Sequence, residues 1–221
     1  MKSLLMRNFK LRQWTLYIYL GLLVFFPIYI IITVNTDFGF IIFIPIGILL
    51  MIISIFDAGH MFRVHKRLGG QQAYIYFASL PVSKKDMLRA NYLTCLLLTL
   101  FGALVIGLYD SQTIDNELMN RLHISTAYSF LIVNFLSIPI AFPKYTEYKR
   151  KGVSYVGYLI FMLIVIPVMY SFFFTVLNHA LFNNQLSKNE VAYFLNNGLL
   201  VIAILIFIIN YFIQLKYIKR L

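Results

Sequence analysis

Asp57, His60 and His65 bring three ligand-type side chains close together in the chain. A metal needs ligands that converge, but steps of three and five residues do not put all three on one helix face. The pattern reads instead as a solvated, basic interface, and no metal site is expected. An ionisable residue inside a membrane span would mark a proton or ion path. The long apolar stretches contain none, and Asp57 and Arg89 stand only at their ends. The polar residues within those stretches are neutral, among them Ser129. Asn134, Ser137, Ser171, Thr175 and Asn210 could line a substrate path or bond between helices. No GxxxxGK[ST], HExxH or GxSxG occurs. The chain is therefore not expected to be an enzyme, to hydrolyse ATP or to bind a cofactor itself. The single cysteine, Cys95, lies in an apolar run and can form no internal disulfide.

The elements that must position these residues are membrane spans. Of the 221 residues, 61% are hydrophobic and 12% charged, against roughly 25% charged in a soluble domain. A bilayer is the simplest solvent for that excess. Six stretches have the required length: 14–34, 38–56, 92–108, 124–142, 155–177 and 198–215. Trp14, Tyr17, Tyr155, Tyr158 and Tyr217 edge them, as headgroup-zone aromatics do. The first is read as a retained span rather than a signal peptide, because no small-residue cleavage pattern follows it. Pro139 and Pro167 are expected to kink the fourth and fifth spans.

Lys and Arg are distributed unevenly among the segments between spans. The N-terminal tail has four, the second loop six (Arg63, Lys66, Arg67, Lys84, Lys85, Arg89), the fourth loop four and the C-terminal tail three, together seventeen of 19. Only Arg121 and Lys188 fall on the other side. This bias puts both termini in the cytoplasm. It also explains the net charge of +11 without a nucleic-acid partner. The fold expected is an all-α membrane protein, a single transmembrane domain over 1–221 with six transmembrane helices. Residues 1–13 alternate Leu4, Leu5, Phe9 and Leu11 with basic residues. They read as an interfacial amphipathic helix, or as a plain basic anchor.

Most loops are short, and the exception is 57–91. Met61, Val64 and Leu68 share one helical face and Arg63, Lys66 and Arg67 another, so the second helix is expected to run on past the membrane. Gly69-Gly70 breaks it. A helix of about nine residues, roughly 13 Å, follows over 71–80 and stops before Pro81. Ser83 and Asp86 then form a capping box for the helix that leads into the third span. Tyr74, Tyr76, Phe77 and Leu80 would stand outside the bilayer. They either dock a protein partner or fold back on the span ends.

Ser79-Leu80-Pro81-Val82-Ser83-Lys84-Lys85-Asp86, followed by Tyr92-Leu93, resembles the SLPVSRKEIV…KYL signature of ABC-2 type transporter permeases. The place of this octapeptide between spans two and three, the six-span layout and the basic N-terminus agree with that family. The resemblance implies that residues 57–91 carry a cytoplasmic coupling helix seated in a groove of a separate ATPase subunit, which would bind ATP and Mg. It implies further that this chain pairs with a second permease copy or a paralogue in the bacterial cytoplasmic membrane. The coupling residues would be Gln71, Tyr74, Tyr76, Phe77, Leu80, Pro81, Val82 and Ser83, with Gly69 and Gly70 as hinge. Asp57 stands where the family often has an acid, but His60, Arg63 and His65 are more basic than its pattern. The family's short re-entrant helices outside the membrane would fall at 178–195, with Asn183-Asn184 as turn; a plain polar loop is the other reading.

The function expected is an ATP-driven exporter permease among membrane lipids. A Phe- and Tyr-rich interior without charges suits amphipathic peptides or other amphiphiles as cargo. A secondary transporter is the first alternative, but neither an intramembrane acid nor an inverted repeat supports it. A non-transporting immunity or scaffold protein is the second.

Overall fold

The structure, a computed structural model, describes residues 2–35, 39–110, 126–182 and 188–219, and every regular element among them is helical. Helix α1 (Lys2–Leu11) and α2 (Gln13–Asn35) are separated by one residue, Arg12. α1 is amphipathic as expected, with Leu4 and Asn8 buried, and it packs on a later helix, α6 (Lys84–Asp110).

α3 (Gly39–Asp57) does not run straight on. Gly59 takes φ +70°, a left-handed value that an L side chain adopts only with strain, and the chain bends by 65° into α4 (His60–Arg67). The extension expected after α3 is thus present as a separate, bent helix. The face assignment stands, with Met61 and Val64 fully buried and Lys66 and Arg67 exposed. Gly69 and Gly70, at φ +102° and +62°, end α4. A single 3-10 turn (Gly70–Gln72) leads into α5 (Ala73–Ser79), and Leu80 is extended before Pro81. Ser83 caps α6 (Lys84–Asp110): its hydroxyl accepts from the Asp86 N–H at 3.1 Å and donates to the Asp86 carboxylate at 2.8 Å.

α7 (Thr126–Ala141) lies between α6 and the last helix. α8 (Tyr155–Ile160) starts on a Ser154 cap, whose hydroxyl accepts from the Gly157 N–H at 2.9 Å. It continues through a π-helical turn (Phe161–Val165) into α9 (Ile166–Phe182). Pro167 explains the wide turn: it supplies no N–H to the preceding turn, and its ring crowds the carbonyl of Leu163. α10 (Lys188–Lys219) closes the fold. Asn183-Asn184 lies outside the described residues.

Among the described residues, four helices are long and apolar enough to cross a membrane: Gln13–Ile32, Lys84–Tyr109, Tyr155–Ala180 and Asn197–Lys219. The bent pair of α3 and α4 makes a fifth if it is one span. The described part of α7 is apolar and 16 residues long, about 24 Å; the expected span 124–142 begins outside the described residues. Among the described residues there are thus four to five candidate spans. Two apolar clusters hold the bundle. One joins α2, α3, α6 and α7 around Tyr19, Tyr29, Ile106 and Phe130. The other joins the α4 region, α6, α7, α8 and α10 around Phe62, Tyr92, Phe135 and Phe142. Three helices meet closely at Gly102, where a Cβ would lie 2.8 Å from the Phe130 ring and 3.0 Å from Tyr19.

Candidate functional site

The basic end of the bundle, where the N-terminal helix, α4, α5 and the loop after α7 meet, holds nearly all the buried charge. Arg12 and Asp57, 2% and 4% exposed, form an ion pair. Arg63 lies 3.6 Å from the same carboxylate, and the Tyr19 hydroxyl donates to it at 2.9 Å. Arg12 Nη1 is 3.4 Å from His60 Nδ1, and the His60 N–H donates to Asn134 Oδ1 at 3.3 Å. One carboxylate thus ties the start of α2, the end of α3 and α4 together at the bend, and the His60 backbone N–H adds α7 through Asn134. The expectation that Asp57, His60 and His65 form a solvated interface is corrected, since all three are buried. The reason is Arg12, which neutralises Asp57 and lets the cluster leave water.

A second polar network fixes the surrounding segments. The Asn8 amide donates to Asn91 Oδ1 at 3.1 Å and to Thr94 Oγ1 at 3.2 Å, and Asn91 donates to Thr146 Oγ1 at 3.0 Å. His65 Nε2 lies 2.8 Å from the Thr146 carbonyl. Burial lowers the His65 pKa, and that carbonyl contact raises it only in part. The ring is therefore neutral, with its N–H donated to Thr146. α1, α4, α6 and the loop after α7 are joined in this way.

α5 rests on that frame. Phe77 is 1% exposed, packed with Val64, Ala73 and Met87, and its ring centroid lies 5.4 Å from that of His65. Tyr74, Ile75 and Tyr76 remain exposed, Tyr74 by 46%. Arg7 of α1 sits over both the Tyr76 and Phe77 rings, 5.9 and 5.5 Å from the centroids. Leu80 and Val82 are half-buried, Pro81 is exposed, and Ser83 caps α6. Gln71 falls in the 3-10 turn; its side chain lies outside those described. The two readings of the aromatics are thus split by residue: Phe77 folds back, while Tyr74 and Tyr76 face outward.

The candidate path residues do not converge within one chain. Asn134 and Ser137 are buried beside the Asp57 cluster, with the Ser137 hydroxyl donating to the Asn134 carbonyl at 2.6 Å. Asn210 of α10 donates to the Tyr92 hydroxyl of α6 at 2.8 Å. Ser171 and Thr175 are exposed on α9, and Thr175 donates back to the Ser171 carbonyl at 2.9 Å. Sequence reasoning missed Asn8, Arg12, Asn91 and Thr146. Arg12 was counted only as a topology charge, although it stands directly before the first apolar run; the signal was its match to Asp57 at the end of the second.

No curated protein and no solved structure matches the chain. A sequence model described as ABC-2 family transporter protein matches residues 3–219, nearly the whole length, and the chain belongs to that family.

Proposed function

We propose that this chain is the membrane-spanning permease subunit of an ATP-driven exporter, working as a pair with a second permease and driven by a separate ABC ATPase that carries ATP and Mg. The basic end faces the cytoplasm of a bacterial cell, as the Lys and Arg distribution requires. The observation that carries the reading is α5. It is a short helix anchored by Phe77, bounded by left-handed glycines and Pro81, and it presents Tyr74, Ile75 and Tyr76 outward at the basic end. A rigid element joined to the second and third spans in this way can turn ATPase closure into movement of both. Exposed Tyr residues around a buried anchor are a common form of protein interface.

Asp57 and its partners would transmit that movement across the bend. Ser171 and Thr175, exposed on α9, would meet a path only in the paired assembly. The cargo fitted by an aromatic, uncharged interior is amphipathic. Within the family, the assignment proposed is a permease subunit of the staphylococcal exporter of phenol-soluble modulins, with membrane-active peptides as cargo. Two measurements test the reading. Co-expression with the ABC ATPase of the same transporter should recover a stable complex, and Tyr74→Glu with Tyr76→Glu should abolish it. Cells lacking this subunit should retain amphipathic peptide inside; unchanged export would remove the peptide claim.

A further inference from the structure

Between α5 and the loop after α7 runs a groove of about 1080 Å³. Its floor is apolar: Phe77 and Met87 are buried and Leu80 is half-buried. Its rim is basic: Lys84 begins α6, Lys144, Arg150 and Lys151 stand on the loop, and all four are exposed. Among the described residues none of the four is in a salt bridge. Glu147 is the single carboxylate among the described lining residues, so the rim keeps a positive excess. The groove is preformed, because its loop wall is pinned. The Arg150 backbone N–H donates to the Ala141 carbonyl at 2.8 Å, and Thr146 is held by Asn91 and His65.

An apolar floor under an unpaired basic rim suits an amphiphile with a negative head. Free phosphate would meet the rim and leave the floor uncovered. A neutral acyl chain would cover the floor and leave the cations unanswered. An anionic phospholipid answers both, and basic pockets at span ends take such headgroups. Two features favour lipid over a protein segment. Lys84 is the first residue of the candidate span Lys84–Tyr109, so the rim belongs to the end of a spanning helix rather than to a separate domain. Tyrosines stand beside the cations: the Tyr74 and Tyr148 ring centroids are 6.2 Å apart, and Lys84 Nζ lies 5.9 Å from the centroid of Tyr145. Tyrosine interleaved with Lys and Arg is the composition of a headgroup zone.

We propose that this groove binds one anionic phospholipid, with its phosphate among Lys144, Arg150 and Lys151 and an acyl chain along Phe77, Leu80 and Met87. The lipid is a bound ligand that joins α5 to the loop after α7, not cargo. The proposal goes beyond the reading of α5 and does not depend on it.

The test is native mass spectrometry of the full chain in mild detergent, with phosphatidylglycerol or phosphatidylcholine added. The wild type should retain one phosphatidylglycerol with more than tenfold preference over phosphatidylcholine. Lys144→Gln, Arg150→Gln and Lys151→Gln together should weaken that binding more than tenfold, since each such charge near an anionic headgroup is worth about fivefold. A charge-matched control, Lys10→Gln, Lys216→Gln and Lys219→Gln, exposed and outside the groove, should bind as the wild type does. Ala78→Trp, at an exposed position of the groove, should lose the lipid with no change of charge. It decides the matter alone if the triple variant shows a lowered unfolding midpoint. Wild-type retention by either folded groove variant overturns the proposal. So does equal retention of the two lipids, equal loss in the control, or displacement of the lipid by millimolar inorganic phosphate. If the groove variants keep phosphatidylglycerol but no longer recover a co-expressed ABC ATPase, the groove belongs to a protein partner and the proposal falls.

Discussion

The basic end and the α8–α9 helix are built on opposite terms. At the basic end, Arg12, Asp57, His60, Asn8, Asn91 and Thr94 are all removed from water and bond one another across four or more elements, although Arg12 Nε and His60 Nε2 keep no hydrogen-bond partner. In the span Tyr155–Ala180 only 6% of the most apolar window is buried, against 56% in Lys84–Tyr109. Val168, Met169, Phe172 and Phe173 point away from the chain. The buried charge of the basic end is therefore answered within one chain, whereas α8–α9 needs lipid or another subunit to cover it. A membrane protein can leave apolar surface uncovered because lipid tails solvate it, but buried charge must be answered by the protein itself.

The contrast is broken most directly at Asp57. Asp57→Asn leaves the Arg12 guanidinium buried without its counter-ion, and removing one partner of such a pair costs about 3–5 kcal/mol. Thermal unfolding in detergent should show a large drop, or loss of the monodisperse species. Adding Arg12→Met should recover part of it, because the pair rather than the acid alone is what burial requires. Phe172→Ala, on the exposed face of α9, should stay within about 0.5 kcal/mol. Equal losses at both places would remove the distinction.

A steric version of the same comparison uses glycine. Gly102→Ala drives a Cβ toward Phe130 and Tyr19, an overpacking that costs about 1–3 kcal/mol. Gly21→Ala meets nothing within 4 Å and should be neutral or slightly stabilising from helix propensity. Unfolding midpoints of the two variants measure the difference.

Asn8 comes next. Asn8→Leu keeps the branched outline but leaves Asn91 and Thr94 without their donor, a loss of about 1–3 kcal/mol. Hydrogen exchange should rise in α1 and in the loop 143–151, which Asn91 holds through Thr146, while α9 stays unchanged.

The parts that were legible in the sequence are those set by local chemistry. Gly69-Gly70, the Pro81 stop and the Ser83 cap fell where expected, because backbone conformation and capping depend on adjacent residues. The apolar stretches marked the helices. The bend at Gly59 was missed because a lone glycine in an apolar-to-basic transition leaves the helical period intact on both sides. The Arg12–Asp57 pair spans the whole first hairpin, and Asn8 reaches Asn91 over more than eighty residues. Periodicity carries no information about such partners, so charges at span ends were read only as topology marks.

The smallest effect expected is at Glu147, on the loop after α7. Burial raises its pKa above the ordinary 4.5, and Lys84 draws it back only in part. The folded loop therefore holds its proton at a higher pH than the unfolded chain does. The stability this group contributes is present at low pH and is lost as pH rises through the folded value. At neutral pH the charged side chain is a net penalty, so Glu147→Gln should raise the unfolding midpoint slightly at pH 7. The gain should shrink on acidification and vanish below about 4.5, where both states are protonated. An unfolding midpoint for Glu147→Gln that differs from wild type by the same amount at pH 7 and below about 4.5 would remove this link between the carboxyl and the loop.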